Sequence, residues 1–226
     1  SQLAALPPDV RPEGMDVPHF VDTKLFRWLL SDYVLDLVEP LLGPDIALWS
    51  SHFICKPKGD GKIVPWHEDS AYWGPRLDPM KVVTVWLAID PSTPENGCMR
   101  VIPRTHHNGY SEYDPVPDPK KYVFGTEIKP HQMDKSKAID IILKPNQCSM
   151  HESKLMHSSQ ANTSNIRRCG YTMRYISTHS KHTNPGGYHK IYLARGKDHA
   201  GNEYGDPTKV YEELRRYREK HVKHGH

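Results

Sequence analysis

The sequence predicts a mainly β protein of the jelly-roll type, with helices on its flanks. Short runs rich in Val, Ile, Trp and Tyr alternate with turns that contain Gly, Pro or Asn over about 46–177. The 226 residues include 20 prolines and 37% hydrophobic residues, a composition that is not typical of a helical bundle. No repeat or interdomain linker is visible, and all-β domains of this length are common. We therefore expect residues 1–226 to form a single domain.

Helical patterns are confined to the two ends of the chain. Apolar residues recur at helical intervals over 22–43, with Ser31 as a candidate cap and Gly43 as a stop signal. This pattern predicts a pair of short helices. Near the C-terminus, Asp206 followed by proline is typical of a helix start. It predicts a charged helix over about 207–223.

The predicted strands occupy the segment between these helices. The most distinct are 46–56, 81–90 and 168–177, and shorter ones are expected over 63–69, 99–103, 138–143 and 147–151. Between them, residues 104–137 form a long, polar and proline-punctuated stretch. Loops of this length inside a compact domain are usually functional or mobile, so we interpret this one as a lid.

Composition excludes several classes of function. The net charge is +3, and the basic residues near the C-terminus alternate with glutamates, so no nucleic-acid partner is expected. No apolar run approaches the ~18 residues that a membrane helix needs. The four cysteines form no CxxC pair, which argues against a zinc ribbon, and we expect reduced thiols in a cytoplasmic protein.

The segment Trp66-His67-Glu68-Asp69 carries the strongest chemical signal. Side chains alternate along a strand, so His67 and Asp69 should point to one face and Glu68 to the other. One imidazole and one carboxylate on one face are two of the three ligands of a 2-His-1-carboxylate iron site. Glu68 is then expected to be a bystander that faces away from the metal.

The third ligand should be a histidine on a late strand, and His157 is the best candidate. Arg168 follows it by eleven residues. A dicarboxylate co-substrate that chelates iron through its keto-acid end has a second carboxylate, which the planar guanidinium of an arginine binds well. Arg167 should point to the opposite face of the strand.

Several other histidines could compete for these roles. His151 is the main rival to His157, but it lacks the Ser/Asn/Ser run that follows His157. We expect His52, on the strand before the ligand pair, to line the site. The remaining candidates are interpreted as loop or surface residues: His106, His107, His179 and His182.

Five segments together resemble the phytanoyl-CoA dioxygenase family of iron(II)/2-oxoglutarate oxygenases. They are PWHEDSAYW (65–73), VTVWLAID (83–90), PENGCMRVIPRTH (94–106), HSSQANTS (157–164) and the strand that begins at Arg168. The resemblance implies a double-stranded β-helix, a cupin-like jelly roll. It implies Fe(II) held by His67, Asp69 and His157. It also implies 2-oxoglutarate held by Arg168 with help from Ser159 and Trp86, and O2 as the oxidant.

The resemblance also bears on the reaction and on the substrate. Related halogenases replace the carboxylate with a small residue to admit chloride, so Asp69 favours hydroxylation. A small, partly polar organic substrate is expected, with Tyr72, Trp73 and His52 as candidate contacts.

Two departures from the family pattern stand out. The family usually has glycine where this chain has Arg104, and it usually has further helix and strand ahead of Ser1.

Two functions from other classes fit part of the pattern. One is a non-catalytic jelly-roll binding protein that keeps the metal site as a relic. The other is a zinc or manganese cupin-like isomerase or hydrolase, which the ligand triad permits but the spacing of Arg168 disfavours.

Overall fold

The fold is mainly β, as the sequence predicts, in a computed structural model that describes residues 16–59, 61–184 and 189–216. The strands are β1 (Ile46–Lys56), β2 (Val64–His67), β3 (Leu77–Asp78), β4 (Val82–Ala88), β5 (Met99–Val101), β6 (Tyr113–Pro115), β7 (Thr126–Ile128), β8 (Ile139–Asp140), β9 (Cys148–Glu152), β10 (His157–Ser159), β11 (Arg168–Ser177), β12 (Lys181–His182) and β13 (Tyr192–Arg195). The α-helices are α1 (Phe26–Leu29), α2 (Asp32–Leu42) and α3 (Asp69–Trp73). Short 3₁₀ turns lie at Pro18–Phe20, Thr23–Leu25, Gly74–Arg76, Pro94–Asn96, Thr105–His107, Pro130–Gln132 and Lys135–Lys137.

Four sheets organise these strands. The largest has the order β13-β1-β11-β4-β9, and a four-stranded sheet has the order β2-β10-β5-β8. Two further pairs are β12-β3 and β6-β7. The order of the strands in the two larger sheets differs from their order along the chain. Residues that are distant in the sequence therefore become neighbours.

The chain divides into two compact units. One comprises 1–54, 75–85 and 171–226, and the other comprises 55–74 and 86–170. The division falls within β1, β4 and β11. The expectation of a single domain over 1–226 stays a prediction.

The helical flank of the first unit follows from its apolar spacing. Leu35, Val38 and Leu42 are the buried residues of α2, and they recur at intervals of three and four. Ser31 occupies the N-cap position, but its hydroxyl donates to the carbonyl of Trp28 and does not cap the helix. The predicted helix pair is present, and the proposed capping bond is wrong.

The second unit has a small apolar core beside the predicted ligand strand. It consists of Trp66, Ile102, Ile128, Met133 and Met156, all buried. Ile128 and Met133 belong to the stretch 104–137 that we predicted to be a loop. This stretch contains the hairpin β6-β7 and adds side chains to the core, so the expectation of an element without regular structure is wrong.

The predicted C-terminal helix starts later than expected. Asp206 does accept a hydrogen bond from the amide of Thr208, but the helical residues are 212–216. The remainder of the predicted helix lies outside the described residues. Among the residues with described positions, no helix is both long enough and apolar enough to cross a membrane.

Candidate metal and co-substrate site

Two paired strands place two histidines directly opposite each other. In the antiparallel pair β2-β10, His67 is the register partner of His157, and their ring centroids are 4.1 Å apart. Asp69 Oδ1 lies 3.6 Å from His67 Nε2 and 3.8 Å from His157 Nε2. The three side chains form a cluster that could hold a metal ion, with one ligand atom from each within 4.8 Å of the others.

The local structure at Asp69 differs from the prediction. We expected a strand over 63–69, but β2 ends at His67 and Asp69 is the first residue of α3. Glu68 between them still has extended dihedrals, with φ −113° and ψ 128°. The alternation of side chains therefore continues through Glu68, and His67 and Asp69 still converge.

Backbone carbonyls fix the orientation of both imidazoles. His67 Nδ1 lies 2.9 Å from the carbonyl oxygen of Pro65, and His157 Nδ1 lies 2.8 Å from that of Leu155. A carbonyl oxygen can only accept, so each Nδ1 carries the proton and donates it. In the neutral ring, each Nε2 then presents a lone pair beside Asp69, an arrangement common in metal sites.

Burial keeps the site in a state that can bind a metal ion. The side chains of His67, Asp69 and His157 are only 4%, 13% and 10% exposed. Burial, together with the neighbouring His67, lowers the pKa of His157 well below its ordinary value. A neutral imidazole is the form that binds metal. Two such nitrogens and one carboxylate oxygen fit the donor set of a non-haem iron(II) site.

The rival histidine, His151, also lies at this site. It is buried on β9, and its Nε2 is 3.8 Å from Asp69 Oδ2, the oxygen that does not face His67 and His157. Within the described part of the chain, neither ring nitrogen of His151 has a hydrogen-bond partner. No local pattern in the sequence indicates that both histidines approach the same carboxylate.

Arg168 is a buried cation at the start of β11. The residue is 2% exposed, and its Nε and Nη2 atoms have no hydrogen-bond partner among the described residues. Burial lowers the pKa of Arg168 to about 10, so the guanidinium is still charged at neutral pH. Buried N–H donors of a cation that lack an acceptor are costly, and this guanidinium is therefore suited to an anionic ligand.

Trp86 lies against this guanidinium. Arg168 Cζ lies 5.4 Å from the centre of the Trp86 ring, within the range of a cation–π contact. Gly170 makes room for the indole, because a Cβ atom there would lie 2.2 Å from Trp86 Cζ2. The predicted helper Trp86 thus contacts the predicted co-substrate residue.

The other predicted residues occupy different positions. Ser159 is buried on β10, two residues after His157, and so on the same face of that strand. His52 lies on β1 in the first unit, where its Nδ1 is 3.6 Å from Asp16 Oδ1. Arg167 is paired with Asp90 through two hydrogen bonds of 2.7 and 3.0 Å. The assigned roles of Ser159 and His52 stay predictions.

Aromatic side chains stand beside the histidines. The ring of Tyr72 in α3 lies 5.9 Å from that of His67, and Trp73 follows it, partly exposed. Phe124, which we did not single out from the sequence, lies 5.0 Å from His67 and 4.9 Å from Tyr72. Tyr72 and Phe124 form an aromatic wall next to His67.

Glu68 is not the bystander that we predicted. It is fully buried, and its carboxylate accepts hydrogen bonds from the amide and the hydroxyl of Ser111, at 3.2 and 2.6 Å. Its own amide donates to the hydroxyl of Tyr113 at 3.1 Å. Glu68 therefore attaches the 104–137 stretch to the backbone between the predicted ligands His67 and Asp69.

The chain is similar to known proteins in sequence and in fold. Residues 8–170 match the model of the family described as phytanoyl-CoA dioxygenase (PhyH). A Dictyostelium discoideum protein described as a phytanoyl-CoA dioxygenase domain-containing protein 1 homolog is 28% identical over 161 residues, 70% of this chain and 56% of that protein. The L-proline trans-4-hydroxylase of Streptomyces griseoviridis is 26% identical over 174 residues, 70% of this chain and 64% of the enzyme. The chain spans about half of the length of the curated relatives it matches.

A solved structure shares most of the fold. The non-heme monooxygenase ThoJ, in its apo form, superposes with a TM-score of 0.74 over 99% of this chain and 85% of its own, at 25% identity. This likeness confirms the predicted jelly-roll class with flanking helices.

Proposed function

Because the chain belongs to the phytanoyl-CoA dioxygenase family, we propose that it is a non-haem iron(II)/2-oxoglutarate-dependent dioxygenase that hydroxylates a small organic molecule. The convergence of His67, Asp69 and His157 carries the proposal, with both Nε2 atoms turned toward the carboxylate. Iron bound there would supply the oxidation, with 2-oxoglutarate and O2 consumed and succinate and CO2 released.

The three ligands have distinct tasks in this proposal. His67 and His157 would hold the metal through Nε2, while the carbonyls of Pro65 and Leu155 keep their rings in place. Asp69 would supply the negative charge. It would also fill the position that halogenases of the family leave open for chloride, which favours hydroxylation.

Arg168 would bind the distal carboxylate of 2-oxoglutarate. Its Nε and Nη2 have no protein partner among the described residues, and a carboxylate accepts from two guanidinium N–H groups in one plane. The Trp86 ring, 5.4 Å away, limits the directions in which the guanidinium can turn. Ser159 is proposed as a second contact for the co-substrate.

The aromatic wall of Tyr72 and Phe124 favours a small substrate with both apolar and polar parts. Trp73 and His52 are proposed as further contacts. The relative named L-proline trans-4-hydroxylase suggests free amino acids as the first compounds to test.

Spectroscopy tests the metal and co-substrate assignments together. Anaerobic iron(II) with 2-oxoglutarate should give a weak visible charge-transfer band in the wild-type protein. His67→Ala and Asp69→Ala should abolish it. A screen of candidate substrates for stimulated succinate formation then separates an enzyme from a binding protein. Wild-type protein that binds neither iron nor 2-oxoglutarate would disprove the proposal.

Arg168→Ala tests the co-substrate site separately. Loss of a buried charge pair costs roughly 2–5 kcal/mol, so we expect 2-oxoglutarate affinity to fall by at least about 30-fold. Iron binding should persist, and calorimetric titration of each ligand measures both. Arg167→Ala is the matched control, because Arg167 is adjacent but is paired with Asp90. Unchanged 2-oxoglutarate affinity in Arg168→Ala would rule out the role given to this arginine.

A further inference from the structure

A second cluster of metal-binding side chains lies in the first unit. Asp45 immediately precedes β1, His179 follows β11, and His199 follows β13. One oxygen or nitrogen atom from each lies within 4.8 Å of the other two. Asp45 Oδ2 is 2.7 Å from His199 Nε2, and the rings of His179 and His199 stack with centroids 4.0 Å apart.

Backbone hydrogen bonds hold the three segments in place. The amide of Thr178 donates to the carbonyl of Asp45 at 3.0 Å, and the amide of His199 donates to the carbonyl of Thr178 at 3.4 Å. The Thr178 hydroxyl donates to the carbonyl of Lys197 at 2.7 Å. The backbone segments that carry the three side chains are therefore held close together. Little chain entropy would be lost when they bind a common ligand.

The carboxylate of Asp45 is oriented in advance. The amide of Lys197 donates to Oδ1 at 2.9 Å, which leaves Oδ2 toward His199. Gly196, with φ +74°, permits this approach, since a Cβ atom there would lie 2.2 Å from Oδ1. The bond from Lys197, followed by that from His199, lowers the pKa of Asp45 below its ordinary value. The carboxylate is thus ionised and fixed, as in many metal sites where an outer group orients the ligand.

An ion pair between Asp45 and His199 does not account for His179. Its ring stacks on His199 at an interplanar angle of 14°, and its backbone amide donates to the Ser177 hydroxyl at 3.4 Å. Asp45 and His179 also line a cavity of about 400 Å³, which leaves space for further ligands such as water.

We propose that Asp45, His179 and His199 bind a divalent transition-metal ion such as Zn²⁺. Zinc prefers imidazole nitrogen and carboxylate oxygen at ~2.0–2.2 Å, with ligand atoms ~3.3 Å apart in a tetrahedral site. The Asp45–His199 pair would have to open by about 0.6 Å from 2.7 Å to admit the ion. The metal would replace the proton between these two groups and would also engage His179. This site is independent of the proposed dioxygenase function.

Zinc binding to the full chain tests the site. Other histidines that could bind zinc are first replaced. The parent variant carries His67→Ala, which removes a proposed ligand of the other cluster. It also carries His221→Asn, His224→Asn and His226→Asn, which remove three further histidines. Equilibrium dialysis against Zn²⁺ alone, with elemental analysis, should show one tightly held ion per chain. Adding His179→Ala, His199→Ala or Asp45→Asn should lower zinc affinity at least about tenfold. His131→Ala, at an exposed histidine, should leave it unchanged.

Asp45→Asn is the variant that should preserve the fold. Its amide oxygen can still accept from Lys197, so the turn should be retained while the ligand charge is lost. In addition, Zn²⁺ should protect His179 and His199 of the unsubstituted protein from diethylpyrocarbonate, measured by mass spectrometry, but not His131. Equal zinc affinity in the parent and in all three variants would overturn the proposal. So would equal modification of these histidines with and without zinc.

Discussion

At the scale of one residue, Arg104 stands where glycine is usual in the family. Its φ of 68° and ψ of 1° lie in the left-handed region, which favours glycine. The resemblance noted in the sequence places glycine at this position in most members. The backbone conformation explains that preference. Arg104 itself is exposed, so the arginine is accommodated at the cost of local strain.

Arg104→Gly should therefore stabilise the protein. Relief of left-handed strain, about 1–2 kcal/mol, exceeds the entropy cost of glycine, about 0.5–1 kcal/mol. We expect a rise of about 0.5–1 kcal/mol in the free energy of unfolding, measured by urea denaturation. Arg104→Asn should give a smaller rise, because asparagine tolerates this conformation better than arginine. No gain from either substitution would show that the arginine makes compensating contacts.

At the scale of an element, the 104–137 stretch contains more regular structure and more core residues than its composition indicates. Its polar and proline-rich sequence predicts a lid, yet it supplies a hairpin, two core residues and the aromatic ring of Phe124 beside His67. The buried carboxylate of Glu68 holds it through Ser111. Any opening of this stretch must therefore break two partly buried hydrogen bonds next to the proposed metal ligands.

Loss of the Ser111–Glu68 hydrogen bond should destabilise the 104–137 stretch. Ser111→Ala removes a hydroxyl that donates to buried Glu68 at 2.6 Å, and it leaves a carboxylate oxygen without that bond. We expect a loss of about 1–3 kcal/mol in the free energy of unfolding and faster proteolysis within 104–137.

Ser136→Ala provides the matched control for this change. Its hydroxyl donates to Asp134 at the same 2.6 Å and in the same stretch, but at an exposed site. Its effect should be below about 0.5 kcal/mol. Equal effects of the two serine substitutions would contradict the role of Glu68 as an anchor.

At the scale of the whole molecule, partly buried histidines make the stability depend on pH in the acidic range. Burial, followed by the charges of His189, Arg76 and Lys181, lowers the pKa of His182 to about 4. Burial also lowers the pKa of His189. Between about pH 6.5 and pH 4 the unfolded chain therefore binds more protons than the folded protein, so stability must fall as pH falls through this range.

Urea denaturation at pH 7.0, 5.5 and 4.5 should reveal this loss. His182→Asn should reduce the slope of stability against pH in this window, because one partly buried site no longer titrates differently in the two states. His131→Asn, at an exposed position, should keep the wild-type slope. Identical slopes for His182→Asn and the wild type would contradict the assignment.

The sequence by itself determined the mainly β class and the residues His67, Asp69, His157 and Arg168 as the candidates to examine. These follow from local periodicity and from the chemistry of the side chains, both of which can be read from short segments. Tertiary structure decided the rest. The pairing of β2 with β10 places His67 opposite His157. Backbone carbonyls accept from Nδ1 of both histidines and so determine their tautomers. Glu68 accepts a hydrogen bond from Ser111, which is distant in the sequence. The approach of His151 to Asp69 and the meeting of Asp45, His179 and His199 likewise depend on strand register and turns. Contacts between residues so far apart in the chain are set by the packing of the whole fold, and no local pattern encodes them.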